Sequence, residues 1–199
     1  MTDVQLIEQF LKGNVQAFNT LIWRYEASLY NFILRVIGDR DQARDLCQMT
    51  CIRIYKEVKR LRDPDKFKSW MYRIAMNLCL DEIKKQKKHR TISIFANQST
   101  DNENNVPFQF EDENLQAPDD SVHQRQLSNI LNQALQDLPE EQRMVIVMKQ
   151  YHELKFTEIA DILGEPVNTV KSRLYYGLKA MRKSLEASSL TKEVLLNDM

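Results

Sequence analysis

Apolar residues recur every three or four positions through the first 90 residues of the chain, which is the spacing of one helix face. Gly13-Asn14 and Gly38-Asp39 interrupt this series and predict helix ends. A further apolar stripe, spaced 4, 3, 4 and 3, runs through Cys47, Cys51, Ile54, Val58 and Leu61. It stops near Asp63-Pro64, and the segment FKSWMYRIAMNLCLDEIKKQKK continues as a last helix that begins near Asp65.

The helical periodicity is lost from about Thr91 to Ser121, where Asn, Asp, Glu, Gln and Ser dominate. Such a composition buries too little apolar surface to fold and is typical of a flexible linker. Periodicity returns at Leu127 and continues beyond Pro139. The pattern therefore predicts a first helical domain at 1–90, a flexible acidic linker at 91–121, a second helical domain at 122–187 and a tail at 188–199.

Glycine and proline are scarce, with four and five copies in 199 residues, which disfavours a β fold with many turns. Residues with high helix propensity, such as Leu, Gln, Glu, Lys and Arg, are abundant instead. The predicted fold class is all-α, with two small helical domains joined by the linker.

The segment KFTEIADILGEPVNTVKSRLYYGLKAM has the pattern of a helix-turn-helix. A short helix carries Ile159, Ala160 and Leu163, and Gly164 then permits a tight turn. Pro166 follows at the start of a second helix, where its fixed φ suits a first turn. The second helical domain is therefore expected to contain a helix-turn-helix between Phe156 and Leu185.

On a helical wheel, the second helix of this motif has an apolar stripe at Val167, Val170, Leu174, Leu178, Met181 and Leu185. The opposite face carries Asn168, Thr169, Ser172, Tyr175, Tyr176 and Lys179, with Lys171 and Arg173 on its flanks. Five basic residues and no acid occur from Val167 to Lys183. Basic groups can neutralise phosphates while the polar side chains reach base edges in the major groove. The alternative is a solvated basic helix in a bundle.

The last helix of the first domain has a basic face as well. Phe67, Met71, Ile74, Ala75 and Leu78 form its core stripe, and the opposite side carries Arg73, Asn77, Lys84 and Lys88. Trp70 projects between the two, so it is either a platform for an exposed base or a large core residue.

The charges are unevenly distributed, although 28 basic and 28 acidic residues give a net charge of zero. Residues 1–90 hold 18 Lys and Arg against 11 acids, residues 91–124 hold seven acids and no Lys or Arg, and the rest balances. This partition predicts a polyanionic partner for the first block.

No apolar run approaches the roughly 20 residues of a membrane span, and the N-terminus lacks signal-peptide features. We expect a cytoplasmic protein without direct membrane insertion.

The three cysteines, Cys47, Cys51 and Cys79, are too few for a disulfide framework. Cys47 and Cys51 lie four residues apart and could form a metal or redox pair, but their position on an apolar stripe favours ordinary buried thiols. Because the three histidines are scattered and no phosphate loop or ligand cluster occurs, we predict no catalytic residue, metal, cofactor or small-molecule substrate.

Three blocks, in this order, resemble the extracytoplasmic-function (ECF) sigma factors, the minimal two-domain form of the bacterial sigma-70 family. They are KGNVQAFNTLIWRYEASLYNFILRVIGDRDQARDLCQMTCIRIYK, FKSWMYRIAMNLCLDEIKKQKK and LPEEQRMVIVMKQYHELKFTEIADILGEPVNTVKSRLYYGLKAMRK. The resemblance covers nearly the whole chain except the linker. It implies a dissociable subunit, not an enzyme, that directs core RNA polymerase to promoters.

The resemblance also implies roles for individual residues. The positions matching the family's docking surface for the largest polymerase subunit are Asp45, Leu46, Gln48, Thr50 and Ile54. The positions matching its −10 recognition and melting stretch are Trp70, Tyr72, Arg73, Asn77 and Asp81, and the loop from Leu61 to Lys66 would complete a pocket for a flipped base. The positions matching its −35 reading helix are Thr169, Lys171, Ser172, Arg173, Tyr175 and Tyr176. The family usually has an acid at Met49 and an aliphatic residue at Cys47.

Further partners follow from the same resemblance. The linker is similar to the family connector that threads through polymerase channels, and an anti-sigma factor is expected. Two other functions stay open: a sigma-like protein that only sequesters an anti-sigma factor, and a stand-alone helix-turn-helix regulator.

Overall fold

The computed structural model describes residues 1–96 and 121–187, with side chains for 1–88 and 127–187. It confirms the all-α prediction, since these residues contain helices and no strand. The α-helices are α1 (Asp3–Leu11), α2 (Val15–Ile37), α3 (Arg40–Glu57), α4 (Phe67–Ala96), α5 (Ser121–Gln136), α6 (Glu140–Ile146), α7 (Phe156–Leu163) and α8 (Val167–Ala187). Two 3-10 turns, Val58–Arg60 and Pro64–Lys66, join α3 to α4, and a π-helical turn, Val147–Tyr151, follows α6.

The helix ends lie where polar and glycine residues predict them. The Asn14 side chain accepts hydrogen bonds from the backbone N–H groups of Gln16 and Ala17, and Asp39 accepts one from Gln42. Gly38 ends α2 with a φ of +83°, a left-handed conformation that costs a glycine little. The two predicted interruptions therefore separate α1, α2 and α3.

Helices α1 to α4 enclose the first apolar core. Leu21, Phe32 and Ile33 of α2 are completely or almost completely buried, as are Ile54 of α3 and Met71 of α4. Each such side chain contributes about 1.5–3 kcal/mol when it leaves water. The core fixes α4 against α2 and α3, which determines the face that α4 exposes.

Helix α4 is longer than predicted. It continues to Ala96, six residues past Arg90, where the first domain was expected to end. Neither glycine nor proline occurs between Phe67 and Ala96, so no residue in this stretch breaks the helix. The rest of the predicted linker from residue 97 to 120, and the tail from 188, lie outside the described residues.

Helices α6 and α8 approach each other closely at Gly177. A Cβ at this position would lie 2.8 Å from Ile146 Cδ1 and 3.1 Å from Gln142 Cβ, so any larger residue would require these two side chains of α6 to shift. The buried line of α8 therefore passes through Val170, Gly177 and Met181. Leu178, predicted in the apolar stripe, is exposed because the contact line follows the glycine one position earlier.

Candidate nucleic-acid interface

Helix α8 exposes a polar and aromatic face. Tyr175 and Tyr176 have 63% and 58% of their surface exposed, and their ring centroids lie 5.4 Å apart in an edge-to-face arrangement. The other exposed predicted side chains on this face are those of Asn168, Lys171, Ser172 and Lys179. Phosphate-neutralising and base-edge groups are thus available together on one helix.

The turn before α8 holds this helix at a defined angle. Gly164 ends α7 with a φ of +68°, and Glu165 donates its backbone N–H to the carbonyl of Ala160. Val170 of α8 is fully buried, which anchors the first turns of α8 in the second core. The helix-turn-helix geometry predicted from Gly164 and Pro166 is present.

Two predicted residues of the −35 helix are less available. The guanidinium of Arg173 forms ion pairs with Glu141 at 3.0 Å and Glu165 at 3.2 Å, and its side chain is only 20% exposed. Arg173 therefore fastens α8 to the start of α6 and to the turn, because its Nη2 contacts both carboxylates. Thr169 is partly buried, and its carbonyl accepts a hydrogen bond from Ser172 Oγ.

Helix α4 exposes most of its predicted nucleic-acid face. The exposed residues are Arg73, Asn77, Asp81, Lys84 and Lys88. Tyr72 is the exception, since it is fully buried. Its ring packs against Phe32 of α2, with centroids 4.9 Å apart. Its hydroxyl contacts His152 of the second helix group, which comprises α5 to α8, whereas α1 to α4 form the first helix group. Tyr72 cannot touch DNA in this conformation.

Trp70 is partly buried, as its intermediate position on the wheel predicted. Its ring lies 6.0 Å from that of Phe67 and packs against the edge of the core. It also lines a cavity of about 560 Å³. The lining includes Leu61, Arg62, Asp63, Lys66 and Arg73 of the first helix group and Lys155, Thr157, Glu158, Asp161 and Ile162 of the second.

The predicted polymerase-docking residues divide into two sets. Asp45 and Gln48 are exposed on α3, whereas Leu46, Thr50 and Ile54 are buried. Thr50 Oγ1 donates to the Leu46 carbonyl at 2.6 Å, which satisfies the buried hydroxyl within the helix. Ile54 belongs to the predicted apolar stripe with Cys47 and Cys51, and Leu46 and Thr50 lie beside that stripe on the buried face of α3.

The exposed face of α3 also carries apolar side chains that were not predicted as functional. Met49, Ile52 and Tyr55 are each about half exposed, with values of 51%, 55% and 47%. The sequence contains a signal for them, because their positions continue from Asp45 and Gln48 along the side opposite the core stripe. An apolar strip on a charged helix is typical of a protein-binding surface.

The two helix groups contact each other directly, which the sequence did not predict. Arg73 Nη2 donates to the carbonyl of Asp161 at 2.7 Å. Lys87 and Glu140 form an ion pair at 2.8 Å, and the Gln136 amide donates to the carbonyl of Arg35 at 2.9 Å. These long-range polar contacts leave no periodic signal in the chain.

A buried polar cluster lies at the centre of this contact. His152 Nδ1 is 2.8 Å from the Tyr72 hydroxyl and 3.3 Å from Ser28 Oγ, and the two oxygens are 2.9 Å apart. Burial lowers the pKa of His152 to about 4, with smaller contributions from the charges of Arg35 and Lys68. The imidazole is therefore neutral near pH 7.

The cysteines lie in or beside the first core. Cys47 and Cys79 are buried and Cys51 is partly buried; all three are free thiols. The pKa of Cys47 is raised by a hydrogen bond with Cys51 and by burial. Across residues 1–96 and 121–187, no group of three or more His, Cys, Asp and Glu side chains is arranged to hold a metal ion. In the same ranges no helix is both long and apolar enough to cross a membrane.

Two family models match the chain. The model for Sigma-70 region 2 matches residues 21–89, and the model for Sigma-70 region 4 matches residues 128–181. The first match contains the exposed face of α4, and the second contains α7 and most of α8, including the exposed Tyr175 and Tyr176.

Curated relatives match almost end to end. The ECF RNA polymerase sigma factor SigW of Bacillus subtilis is 34% identical over 179 residues, covering 90% of this chain and 94% of the relative. The ECF RNA polymerase sigma-E factor of Escherichia coli K12 is 28% identical over 187 residues, covering 94% and 95%.

Solved structures share the fold. The sigma factor RpoE in complex with the anti-sigma factor NepR from Bartonella quintana matches with a TM-score of 0.64 and 19% identity, covering 86% of this chain and 98% of that one. CnrH in complex with the cytosolic domain of CnrY matches with a TM-score of 0.65 and 21% identity, covering 94% and 99%. With 34% identity to SigW over nearly the full length of both proteins, the chain belongs to the ECF family of RNA polymerase sigma factors.

Proposed function

We propose that this sigma factor holds a promoter at two points, with α8 reading the −35 element and the exposed side of α4 binding and opening the −10 element. The observation that carries the proposal is that the two helix groups each expose one face with basic or aromatic side chains and few acids. In this role the chain is a transcription initiation factor, and core RNA polymerase catalyses RNA synthesis.

The contacts at the −35 element are assigned to the exposed side of α8. Lys171 and Lys179 carry positive charge for phosphates, and Asn168 and Ser172, in its first two turns, have side chains suited to base edges. Tyr175 and Tyr176 follow on the same face. Arg173 is assigned a positioning role, since its ion pairs hold α8 in place.

The contacts at the −10 element are assigned to α4. Asn77, Lys84 and Lys88 face solvent along one side, Arg73 lies on the same side, and together they suit a nucleic-acid backbone. Trp70 lies at the edge of the first core and offers a ring on which an unstacked base can stack. Stacking on an aromatic ring contributes about 1–3 kcal/mol, comparable to the cost of unstacking a base-pair step. Promoter opening can therefore proceed without ATP hydrolysis.

The polymerase is assigned to the exposed face of α3. Asp45 and Gln48 supply polar contacts, and Met49, Ile52 and Tyr55 supply the apolar area that a stable interface needs. Leu46, Thr50 and Ile54 support this face from inside the core. An anti-sigma factor is a further proposed partner, because RpoE of Bartonella quintana forms a complex with one.

Lys171 provides the most direct test of the −35 contacts. Lys171→Ala should weaken promoter binding at low salt and reduce the slope of log K against log salt by about 0.9, the contribution of one phosphate contact. Arg173→Ala should instead lower the melting temperature of the protein, because it breaks two ion pairs, while leaving most of the salt slope intact. Fluorescence anisotropy over a salt series measures the slope for both variants, and thermal denaturation measures the melting temperature. An unchanged slope in Lys171→Ala would refute its phosphate contact.

The proposed function itself is tested by transcription with purified components. Core RNA polymerase, the full chain and a promoter library are mixed, and the transcript starts are mapped. We expect starts at a shared pair of upstream elements that core polymerase alone does not use. No promoter-dependent initiation above core alone would reject the proposal. Duplex binding without polymerase dependence would favour a stand-alone regulator, and binding only to an anti-sigma factor would favour a sequestering protein.

A further inference from the structure

The second helix group covers part of the face that the proposed function assigns to the −10 element. The cavity beside Trp70 has one wall from α4 and its preceding loop and the other from α7 and its N-terminal flank. The Arg73 guanidinium, which would face a DNA backbone, instead donates to the carbonyl of Asp161. A base directed at Trp70 would meet α7 in this arrangement.

Geometry excludes simultaneous reading of both promoter elements in this arrangement. By their names the elements lie about 25 base pairs apart, or roughly 85 Å of duplex at 3.4 Å per base pair. Here α4 contacts α7, the first helix of the same helix-turn-helix whose second helix is α8. The two helix groups must separate before the chain can hold a promoter at both points.

Three hydrogen-bonding side chains hold the groups together at the centre of the contact. His152, from the segment after the π-helical turn, reaches Tyr72 of α4 and Ser28 of α2. The edge of its ring packs on Phe32, with centroids 5.2 Å apart. The Lys68 ammonium donates to the His152 carbonyl at 3.3 Å. Both side chain and backbone of His152 are thus tied to the first helix group.

Resting on the proposed function, we propose that His152, Tyr72 and Ser28 form a latch that keeps the free chain closed, with α7 over the −10 face, until polymerase binding separates the two helix groups. The latch explains why Tyr72 is buried and why Arg73 contacts protein. It also leaves the exposed face of α3, including Met49 and Ile52, open to the polymerase while the chain is closed.

The character of the contact suits a reversible closure. Besides the latch, it contains the Lys87–Glu140 ion pair, whose side chains are 65% and 31% exposed, and the hydrogen bond from Gln136 to the backbone of Arg35. Exposed ion pairs and single hydrogen bonds contribute little each. Polar contacts of this kind are typical of domain interfaces that open. Around them, buried apolar residues of both helix groups form one continuous cluster, so opening also exposes some apolar surface.

A bulky substitution at the latch tests this inference in the full chain. Ser28→Trp places a large ring where Ser28 now meets Tyr72 and His152, so it should wedge the helix groups apart. Ala27→Trp is the matched control, because Ala27 is the next residue of α2 and is exposed. Small-angle X-ray scattering measures the separation, and anisotropy with a single-stranded −10 oligonucleotide, chosen from the mapped promoters, measures access to Trp70.

We expect the wild type and Ala27→Trp to be compact and Ser28→Trp to be expanded. Ser28→Trp should bind the oligonucleotide at least about 10-fold more tightly than the wild type, because almost all of its molecules are open and able to bind. A wild type as expanded as Ser28→Trp would overturn the latch. An expanded Ser28→Trp with unchanged affinity would also overturn it. Failure of the proposed function is separate: it would show as absence of promoter-dependent transcription in wild type and variants alike, whatever the scattering shows.

Discussion

Trp70→Ala should reduce open-complex formation about 5- to 150-fold, the range that corresponds to 1–3 kcal/mol of lost base stacking. Trp70 is suited to this role because its ring lies at the edge of the first core, near the basic side chains of Arg62, Lys66 and Arg73. Binding to core polymerase should change little, since the exposed face of α3 is assigned to that contact. Permanganate reactivity of thymines near −10 measures opening, and a pull-down with core polymerase measures binding.

The control for this variant is Trp70→Phe. A phenyl ring retains a stacking surface and its packing against Phe67, so opening should recover most of the loss. If Trp70→Ala lowered core binding and opening equally, Trp70 would be a core residue that only stabilises the first helix group. The thermal stability of both variants, measured beside the wild type, separates that outcome from a loss of stacking.

Lowering the pH from 7 to 5 should raise the ratio of open to closed free chain about 20-fold, by proton linkage at His152. The closed form holds the pKa of His152 at about 4, because the ring is buried and faces Arg35 and Lys68. Its Nε2 is buried without a hydrogen-bond partner, so a proton there would have no acceptor. In the open form the ring meets water and its pKa returns to about 6.5.

The direction of the effect follows from these two values. Above pH 6.5 His152 is neutral in both forms and the closed form keeps its full stability. As the pH falls from 6.5 towards 4, only the open form takes up the proton, and closure loses up to roughly 3 kcal/mol. Scattering at a series of pH values measures the change.

His152→Asn is the matched control for the pH response. An asparagine amide oxygen can accept from the Tyr72 hydroxyl near the place of Nδ1, but it does not titrate. This variant should stay closed at pH 7 and show little expansion at pH 5. An equal expansion in His152→Asn would assign the pH response to other groups and contradict the role of His152.

Periodicity and turn chemistry predicted the parts of the interface that depend on local structure. The pattern around Gly164 and Pro166 was sufficient for the helix-turn-helix, and the wheel placed Lys171, Tyr175 and Tyr176 on the exposed side. These features depend on residues that are close in sequence, so the local sequence pattern is sufficient to predict them. The exposed face of α4 was predicted for the same reason.

Long-range packing explains what the sequence could not show. Tyr72 looks like part of an accessible helix until His152, 80 residues later, is placed against it. Arg173 looks like a phosphate ligand until the turn and α6 bring Glu165 and Glu141 to its guanidinium. Leu178 looks like a core residue until Gly177 sets the line of contact with α6. In each case the deciding partner belongs to another element.

A spacer series tests most directly whether one chain holds two promoter elements in fixed register. Holoenzyme is assayed on a mapped promoter with about 5 base pairs, half a helical turn, inserted between the −35 and −10 elements, and on one with about 10. We expect the half-turn insertion to abolish initiation, because it moves the −35 element to the opposite side of the duplex from the −10 element. Initiation that persists at full rate with the half-turn insertion would contradict the proposal that one chain binds both promoter elements at once.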